Sequence, residues 1–343
     1  MGFKTGEGNV YVCSDSQATG EEKSTAQKLF VQGSNAFTGT GRADRILSLR
    51  ASMLNLQNPT PKQLAELLIE RGKDFKIDRK DPNDYLAMLV AGVEEKSPVL
   101  YHVSVSGTPN MEPEYAKIDY ASFDGSGRRQ TMPAIQRDIE TGNIDIFDAT
   151  EGMNLCFSLG DRAGRDMYVD DKFQISLVTP DGVRILYHPR IDLGVGTGPH
   201  DYFNYFRANF DINLDTDKLK DNDYEGLSDI YAAMNDLYNS LLVTCGNINS
   251  VDRRVNRAST MAKVDRVQRD KHELKRQEFV KERDLEKSYT NELVNAWISG
   301  NVDRIVEALG SYRERRVARY ENGQAYVSRL QGNELQIALP FSE

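Results

Sequence analysis

The chain has 343 residues, 39% of them hydrophobic and 28% charged, with a formal net charge of -9. This length exceeds one average domain and allows two units or one large core. The acidic balance argues against a general nucleic-acid partner, no run of about eighteen apolar residues predicts a membrane span, and Met1 to Val12 lacks the basic-then-apolar pattern of a secretory signal.

Thr5-Gly6-Glu7-Gly8 is a turn signal, and Val10 to Cys13 is an apolar, β-prone run, so the chain opens as a hairpin. Lys28 to Val31 predicts another strand, followed by a small-residue loop at Thr38-Gly39-Thr40-Gly41. A helix is expected from Arg42, with Ile46, Leu49, Met53 and Leu56 on one stripe. Thr60, Pro61 and Gln63 form an N-terminal capping signature for a second helix that turns Leu64, Leu67 and Leu68 inward. Tyr85 to Ala91 is nearly continuous and apolar, as in a strand buried on both faces, and Leu100 to Val105 alternates. Tyr120 to Phe123 is a further strand, and Gly125-Ser126-Gly127 opens a helix with Pro133 near its first turns. Another helix is predicted from about Thr150 to Arg165. Phe173 to Val178, the Pro180-Asp181-Gly182 turn and Val183 to Tyr187 make a second hairpin. Two helices between groups of strands suit sheets layered inside helices, not a singly alternating βαβ sheet.

Beyond Gly194 to Gly198 the character changes. Residues 211–225 read as an acidic loop, and Leu227, Ile230, Met234, Leu237 and Leu241 line an amphipathic helix. From 251 to about 298 the pattern is one long charged helix with sparse apolar positions and a weak coiled-coil heptad. Residues 251–287 hold 12 Lys/Arg and 8 Asp/Glu, a balance of +4 that leaves -13 for the rest of the chain. A short helix around Ile305 and Leu309 and a terminal hairpin near Tyr326 and Leu335 to Leu339 follow. The expected divisions are 1–195, a linker and amphipathic helix over 196–248, and a charged helical arm over 249–343.

Several segments, in order, look like one family. Val10 to Thr19 resembles the second strand and turn of proteasome β-type subunits and of the peptidase subunit of the related bacterial ATP-dependent protease. Gln27 to Phe30 is similar to that family's lysine-bearing strand, and Thr40 to Asp44 to its glycine-rich loop entering the first helix. Gly125-Ser126-Gly127, Arg165-Asp166 and Phe173 to Leu186 resemble its later landmarks. The resemblance covers residues 1–190 and leaves the C-terminal part outside.

It implies an α+β fold: the four-layer αββα sandwich of N-terminal nucleophile (Ntn) hydrolases, followed here by a mainly helical extension. It also implies a threonine-type peptidase subunit that cuts peptide bonds within a ring-like homo-oligomer, and the three widely spaced cysteines add the expectation of a cytoplasmic location. In such chemistry a leading Thr, Ser or Cys attacks the carbonyl and its own α-amino group relays the proton. The resemblance assigns the supporting charge to Lys28 and Asp15, supporting contacts to Ser126 and Asp166, and an oxyanion N–H to Gly41 or its neighbour. No metal or other cofactor is implied.

The expected nucleophile is not visible. Gly2 follows Met1, and Thr5 is the only early candidate. If the hairpin turns at about Glu7 with partners summing to roughly fifteen, Thr5 faces Val10 and lies ~17 Å along the strand from the level of Asp15. Either the nucleophile lies outside this sequence or the chain is a noncatalytic structural or scaffold subunit. Without a nucleophile, Asp15 and Lys28 read as a structural ion pair, and Ser126 as a helix-entry turn.

Other motifs carry less. Gly194 to Gly198 has no following Lys-Ser/Thr and reads as a linker, not a phosphate loop. Asp221, Asp223 and Glu225 begin like a calcium loop, but Ala232 stands where a bidentate Glu is needed. His102, His188, His200 and His272 show no metal spacing. The three spaced cysteines, Cys13, Cys156 and Cys245, fit reduced thiols better than a disulfide framework. The 251–298 arm reads as a solvated helix face or a protein-partner surface.

Overall fold

In the computed structural model, which describes residues 1–19, 23–25, 27–81, 84–108, 111–125, 146–163, 169, 172–189, 205–210 and 227–321, the chain opens on the expected hairpin. Strand β1 (Gly2–Lys4) pairs antiparallel with β2 (Val10–Asp15), setting Gly2 opposite Val12 and Lys4 opposite Val10. The register differs by one residue from the expected one, because Thr5 faces Asn9 instead of Val10. The Thr5 N–H donates to the Asn9 carbonyl, and Thr5 Oγ1 accepts from the Asn9 N–H at 3.2 Å. A three-residue loop, Gly6-Glu7-Gly8, sets this register, with Gly8 at φ +86°. Such loops close through a left-handed residue, and glycine adopts that backbone without a Cβ clash.

Ten strands make two five-stranded antiparallel sheets. In the first the order is β10 (Ala121–Ser122), β1, β2, β11 (Phe173–Thr179) and β12 (Gly182–Tyr187). In the second it is β5 (Leu29–Gln32), β6 (Asn35–Thr40), β7 (Ala87–Glu94), β8 (Ser97–Ser104) and β9 (Glu114–Lys117). A small hairpin pairs β3 (Gln17–Thr19) with β4 (Lys23–Thr25). The Thr38 to Gly41 stretch expected as a loop is a strand through Thr40. It lies between β5 and β7, with Thr38 bridging Leu29 and Leu89. Central pairing overrides the weak strand preference of its glycine.

Period-two alternation decides what each face of the second sheet covers. Met88, Val90, Val99, Tyr101 and Val103 join Leu49 and Met53 of α1 (Ala43–Leu54) and Leu64 and Leu68 of α2 (Pro61–Gly72) in one buried cluster. The alternate residues face the first sheet: a Cβ on Gly2 would stand 3.0 Å from Leu100 and 3.5 Å from Leu89. The α2 start carries the expected capping box, with Thr60 Oγ1 accepting from Gln63 N–H and the Gln63 side chain accepting from Thr60 N–H. Helix α3 (Ala149–Ala163) approaches the first sheet through two glycines. A Cβ at Gly152 would overlap the Tyr11 ring, and one at Gly160 the Phe173 ring. The Tyr11 hydroxyl donates to the Ala149 carbonyl at 2.5 Å.

The chain divides into two compact units, Met1–Gly152 with Leu159–Leu214 and Met153–Ser158 with Asp215–Glu343. The second unit is mainly helical, with α4 (Leu227–Val264), α5 (Arg269–Ile298) and α6 (Val302–Glu321). Two expectations change here. Helix α4 runs on past 248 without a break, since no proline interrupts it and Gly246 faces open space. The single charged helix expected over 251–298 is instead a hairpin of α4 and α5. The chain reverses where the Asp265 carboxylate accepts from the N–H groups of Val267 and Gln268, both at 3.1 Å. An aspartate that satisfies the following N–H groups competes with helix continuation. Tyr238, Leu241, Cys245, Leu293, Trp297 and Tyr312 are buried in this unit. The Gly194 to Gly198 linker, the 211–225 loop, the helix predicted after Gly125 and the terminal hairpin lie outside the described residues. Among the described residues no helix is long and apolar enough to cross a membrane.

The sheets of the first unit are fastened by Gln174. It is fully buried, and its Oε1 accepts from the backbone N–H of Lys28 and of Leu29, each at 2.9 Å. Replacing Gln174 with Leu strands both donors, each worth about 1–3 kcal/mol when unsatisfied. Urea unfolding of Gln174→Leu is therefore expected to show a loss of about 2–4 kcal/mol.

Candidate functional site

Lys28 and Asp15 are brought together. Lys28 Nζ lies 2.9 Å from Asp15 Oδ1 and 3.0 Å from Oδ2, and both side chains are mostly covered. Their elements explain the placement. Asp15 is the last residue of β2 and pairs with Phe173 of β11, while Lys28 stands just before β5. Gln174, next to Phe173, holds Lys28 through its backbone N–H and reaches the Asp15 carbonyl through Nε2 at 3.4 Å. One buried amide thus positions both partners of the ion pair.

The start of β1 lies beside this pair. The Met1 ammonium donates to the Cys13 carbonyl, and the Cys13 N–H donates back to Met1, both at 2.8 Å. Asp15 is two residues further along β2, about 7 Å beyond the level of Met1. Thr5 is at the other end of the hairpin, about 20 Å along the strand from Asp15. It is buried there, and its hydroxyl is engaged with Asn9.

Gly41 follows β6 at the same end of the second sheet as Lys28, because Leu29 pairs with Thr38. Its φ is +127°, and a Cβ there would overlap the Tyr85 carbonyl oxygen, so the loop requires glycine on both counts. Gly125, at φ +97°, sits over Thr40, with its Cβ position 3.6 Å from Thr40 Oγ1. Ser126 and Asp166 lie outside the described residues.

A second polar group at this end has no counterpart in the sequence reading. Asp124 accepts from the Tyr85 hydroxyl at 3.2 Å through Oδ1, and its Oδ2 lies 2.6 Å from His102 Nε2. The Asp124 side chain is 9% exposed and that of His102 25%. Gly2 pairs with Ser122 on one side of β1 and with Val12 on the other. Asp124 and Asp15 therefore both lie just past the level of Met1, flanking the line of β1. Spacing carried no signal for this group, since residues 85, 102 and 124 belong to three different segments. A scattered histidine and an aspartate after a two-residue strand looked unremarkable in isolation.

Chemically, the end of β1 has an ammonium–carboxylate pair on one side and a tyrosine–carboxylate–imidazole chain on the other. The first supplies a fixed positive charge, and the second can hold or pass a proton. Among the described residues no group of three or more His, Cys, Asp or Glu is placed to hold a metal ion. Cys13, Cys156 and Cys245 are all buried, and none is in a disulfide.

Compared with known proteins, the chain matches no protein-family model and no curated protein.

Removing the Asp124 carboxylate leaves the Tyr85 hydroxyl and the His102 ring without their shared acceptor. Asp124→Ala is expected to lose about 2–3 kcal/mol in denaturant unfolding, whereas Asp44→Ala, at an exposed surface pair, should leave the unfolding midpoint essentially where it is.

Proposed function

We propose that the first unit is a proteasome-like Ntn-hydrolase domain, and that the chain is a threonine-type peptidase subunit acting on peptide bonds inside a ring-like, cytoplasmic homo-oligomer. The observation that carries this reading is the Lys28–Asp15 ion pair, positioned by Gln174 just beyond the start of β1. A nucleophile leading β1 would stand beside a fixed cation, and its α-amino group would take the hydroxyl or thiol proton. The Gly41 loop then offers a backbone N–H to the developing oxyanion, and Ser126 and Asp166 take the supporting roles the resemblance implies. The layering favours the same reading. Helices α1 and α2 cover one face of the second sheet, its other face meets the first sheet, and α3 approaches the first sheet's far face. This layering supports the αββα reading of the first unit.

A second reading is a noncatalytic scaffold subunit with the same fold. The observation that favours it is Thr5, whose hydroxyl is tied into the β1–β2 turn far from Lys28. In that case Lys28 and Asp15 hold the sandwich closed and do no chemistry.

N-terminal sequencing of the native protein, together with hydrolysis of fluorogenic peptides, separates the two. A leading Thr, Ser or Cys, with kcat/KM reduced at least about a hundredfold by Lys28→Ala, is the expected peptidase result. A leading Met or Gly with no turnover sinks the peptidase and leaves the scaffold.

A further inference from the structure

Leu100 and His102 lie on the face of the second sheet that meets the first. Tyr101 and Val103, on either side of His102, join the cluster beneath α1 and α2 instead. A Cβ on Gly2 would stand 3.0 Å from Leu100 and 3.5 Å from Leu89, so the start of β1 lies directly against these strands. His102 pairs with Leu89 and follows Leu100 by two positions, about 7 Å along β8. Asp124 follows Ser122, the partner of Gly2, by the same two positions. The strand beside β1 and the sheet facing it thus bring an aspartate and a histidine to the level where a nucleophile leading β1 would stand.

The two ring nitrogens of His102 are placed unequally. Nε2 lies 2.6 Å from Asp124 Oδ2, and the same carboxylate accepts from the Tyr85 hydroxyl. An ionised carboxylate can only accept, so the neutral ring carries its proton on Nε2 and its lone pair on Nδ1. Nδ1 makes no hydrogen bond among the described residues. The His102 side chain is 25% exposed and so borders water, whereas Asp124 behind it is 9% exposed. Its cross-strand neighbours, Leu89 and Ala116, carry no charge. His102 is therefore a base oriented by a nearly buried carboxylate, with its accepting atom left open.

We propose that His102 is the base for the second half of peptide hydrolysis, taking a proton from the water that cleaves the acyl-enzyme. The proposal rests on the peptidase reading above. In the first half, the nucleophile's own α-amino group takes its proton and delivers it to the leaving amine, so that step has its base. In the second, the water oxygen bonds to the acyl carbon as a water proton passes to Nδ1. The bond from that carbon to the nucleophile then breaks, and the imidazolium returns the proton to the released oxygen or sulfur. Water is the only co-reactant, and His102 ends neutral. Asp124 is a positioning residue that fixes the tautomer.

The test mixes the native full chain rapidly with p-nitrophenyl esters of N-blocked amino acids, which acylate fast, and follows nitrophenol release and intact mass together. The parent is expected to give a burst stoichiometric with the chain and then steady turnover. His102→Gln keeps a donor for Asp124. It is expected to retain the burst and the parent circular dichroism, to lose at least about tenfold in steady turnover, and to accumulate the acyl-enzyme mass. Asp124→Asn, whose amide donates to Nε2 and moves the ring proton to Nδ1, is expected to do the same. Unchanged turnover in His102→Gln, or a burst lost along with turnover, overturns the proposal and leaves the peptidase reading standing. A parent with neither burst nor turnover overturns that reading, and the proposal falls with it.

Discussion

The first unit turns on how Gln174 is satisfied. An amide with no exposure to water must find partners inside, and it finds them on two sheets at once. Its oxygen takes the N–H groups of Lys28 and Leu29, which β5 leaves unpaired as it begins, and its nitrogen reaches back to Asp15. Tyr187 adds a parallel link by donating to the Leu29 carbonyl at 2.9 Å. Apolar contact between sheets is tolerant of small slides, whereas these bonds are directional. They set where the edge of the second sheet lies against the first, and hence where the Lys28 ammonium meets the Asp15 carboxylate.

Polar groups gather at that end for a related reason. Strand ends are where the ladder stops and the backbone needs other partners. Asp15 ends β2, Lys28 precedes β5, Gly41 follows β6, Tyr85 precedes β7 and Asp124 follows β10. Side chains there can be partly wet and charged without the desolvation cost of the apolar interior. Asp124 is the most covered of them and has two partners, as a nearly buried carboxylate requires. The close approach of Gly41 to the Tyr85 carbonyl ties the glycine loop to the segment that carries the Tyr85 ring. The loop and the Asp124 group are thus parts of one framework.

The second unit is organised by charge within its helices. Glu286 is fully buried, receives the Asn247 amide at 3.2 Å and lies 3.5 Å from Arg316. Arg313 pairs with Asp236 and Arg315 with Glu292, so α6 is registered against both longer helices by arginines. Burial pushes the Asp236 carboxyl above its usual range, and the Arg313 guanidinium opposes that rise. Arg313 is 44% exposed and Arg315 40%, so these half-covered pairs add little net stability and act as directional contacts between α6 and the longer helices. Pairs such as Arg254–Glu282, at 2.8 Å, add directional contacts between α4 and α5 to the buried apolar residues of both helices, Val251 and Leu293 among them.

Local chemistry was readable in advance. Thr60, Pro61 and Gln63 specify a helix start through bonds within four residues, and that start is found intact. The apolar runs of β7, β8, β11 and β12 declare strands by their alternation and bulk. The meeting of Asp15 with Lys28 was expected by resemblance. Other features depended on contacts that spacing does not encode. Gly8 took the left-handed turn and moved Thr5 by one register position. Central pairing made a strand of Thr38 to Thr40, and Asp265 folded one charged helix into two. The sequence alone determined which segments are helix or strand and which faces are apolar, since those follow from nearest neighbours and from periods of 2 and 3.6 residues. Only the tertiary structure decided that Tyr85 and His102 share the Asp124 carboxylate beside β1, because three segments far apart in the chain meet through sheet register and inter-sheet packing.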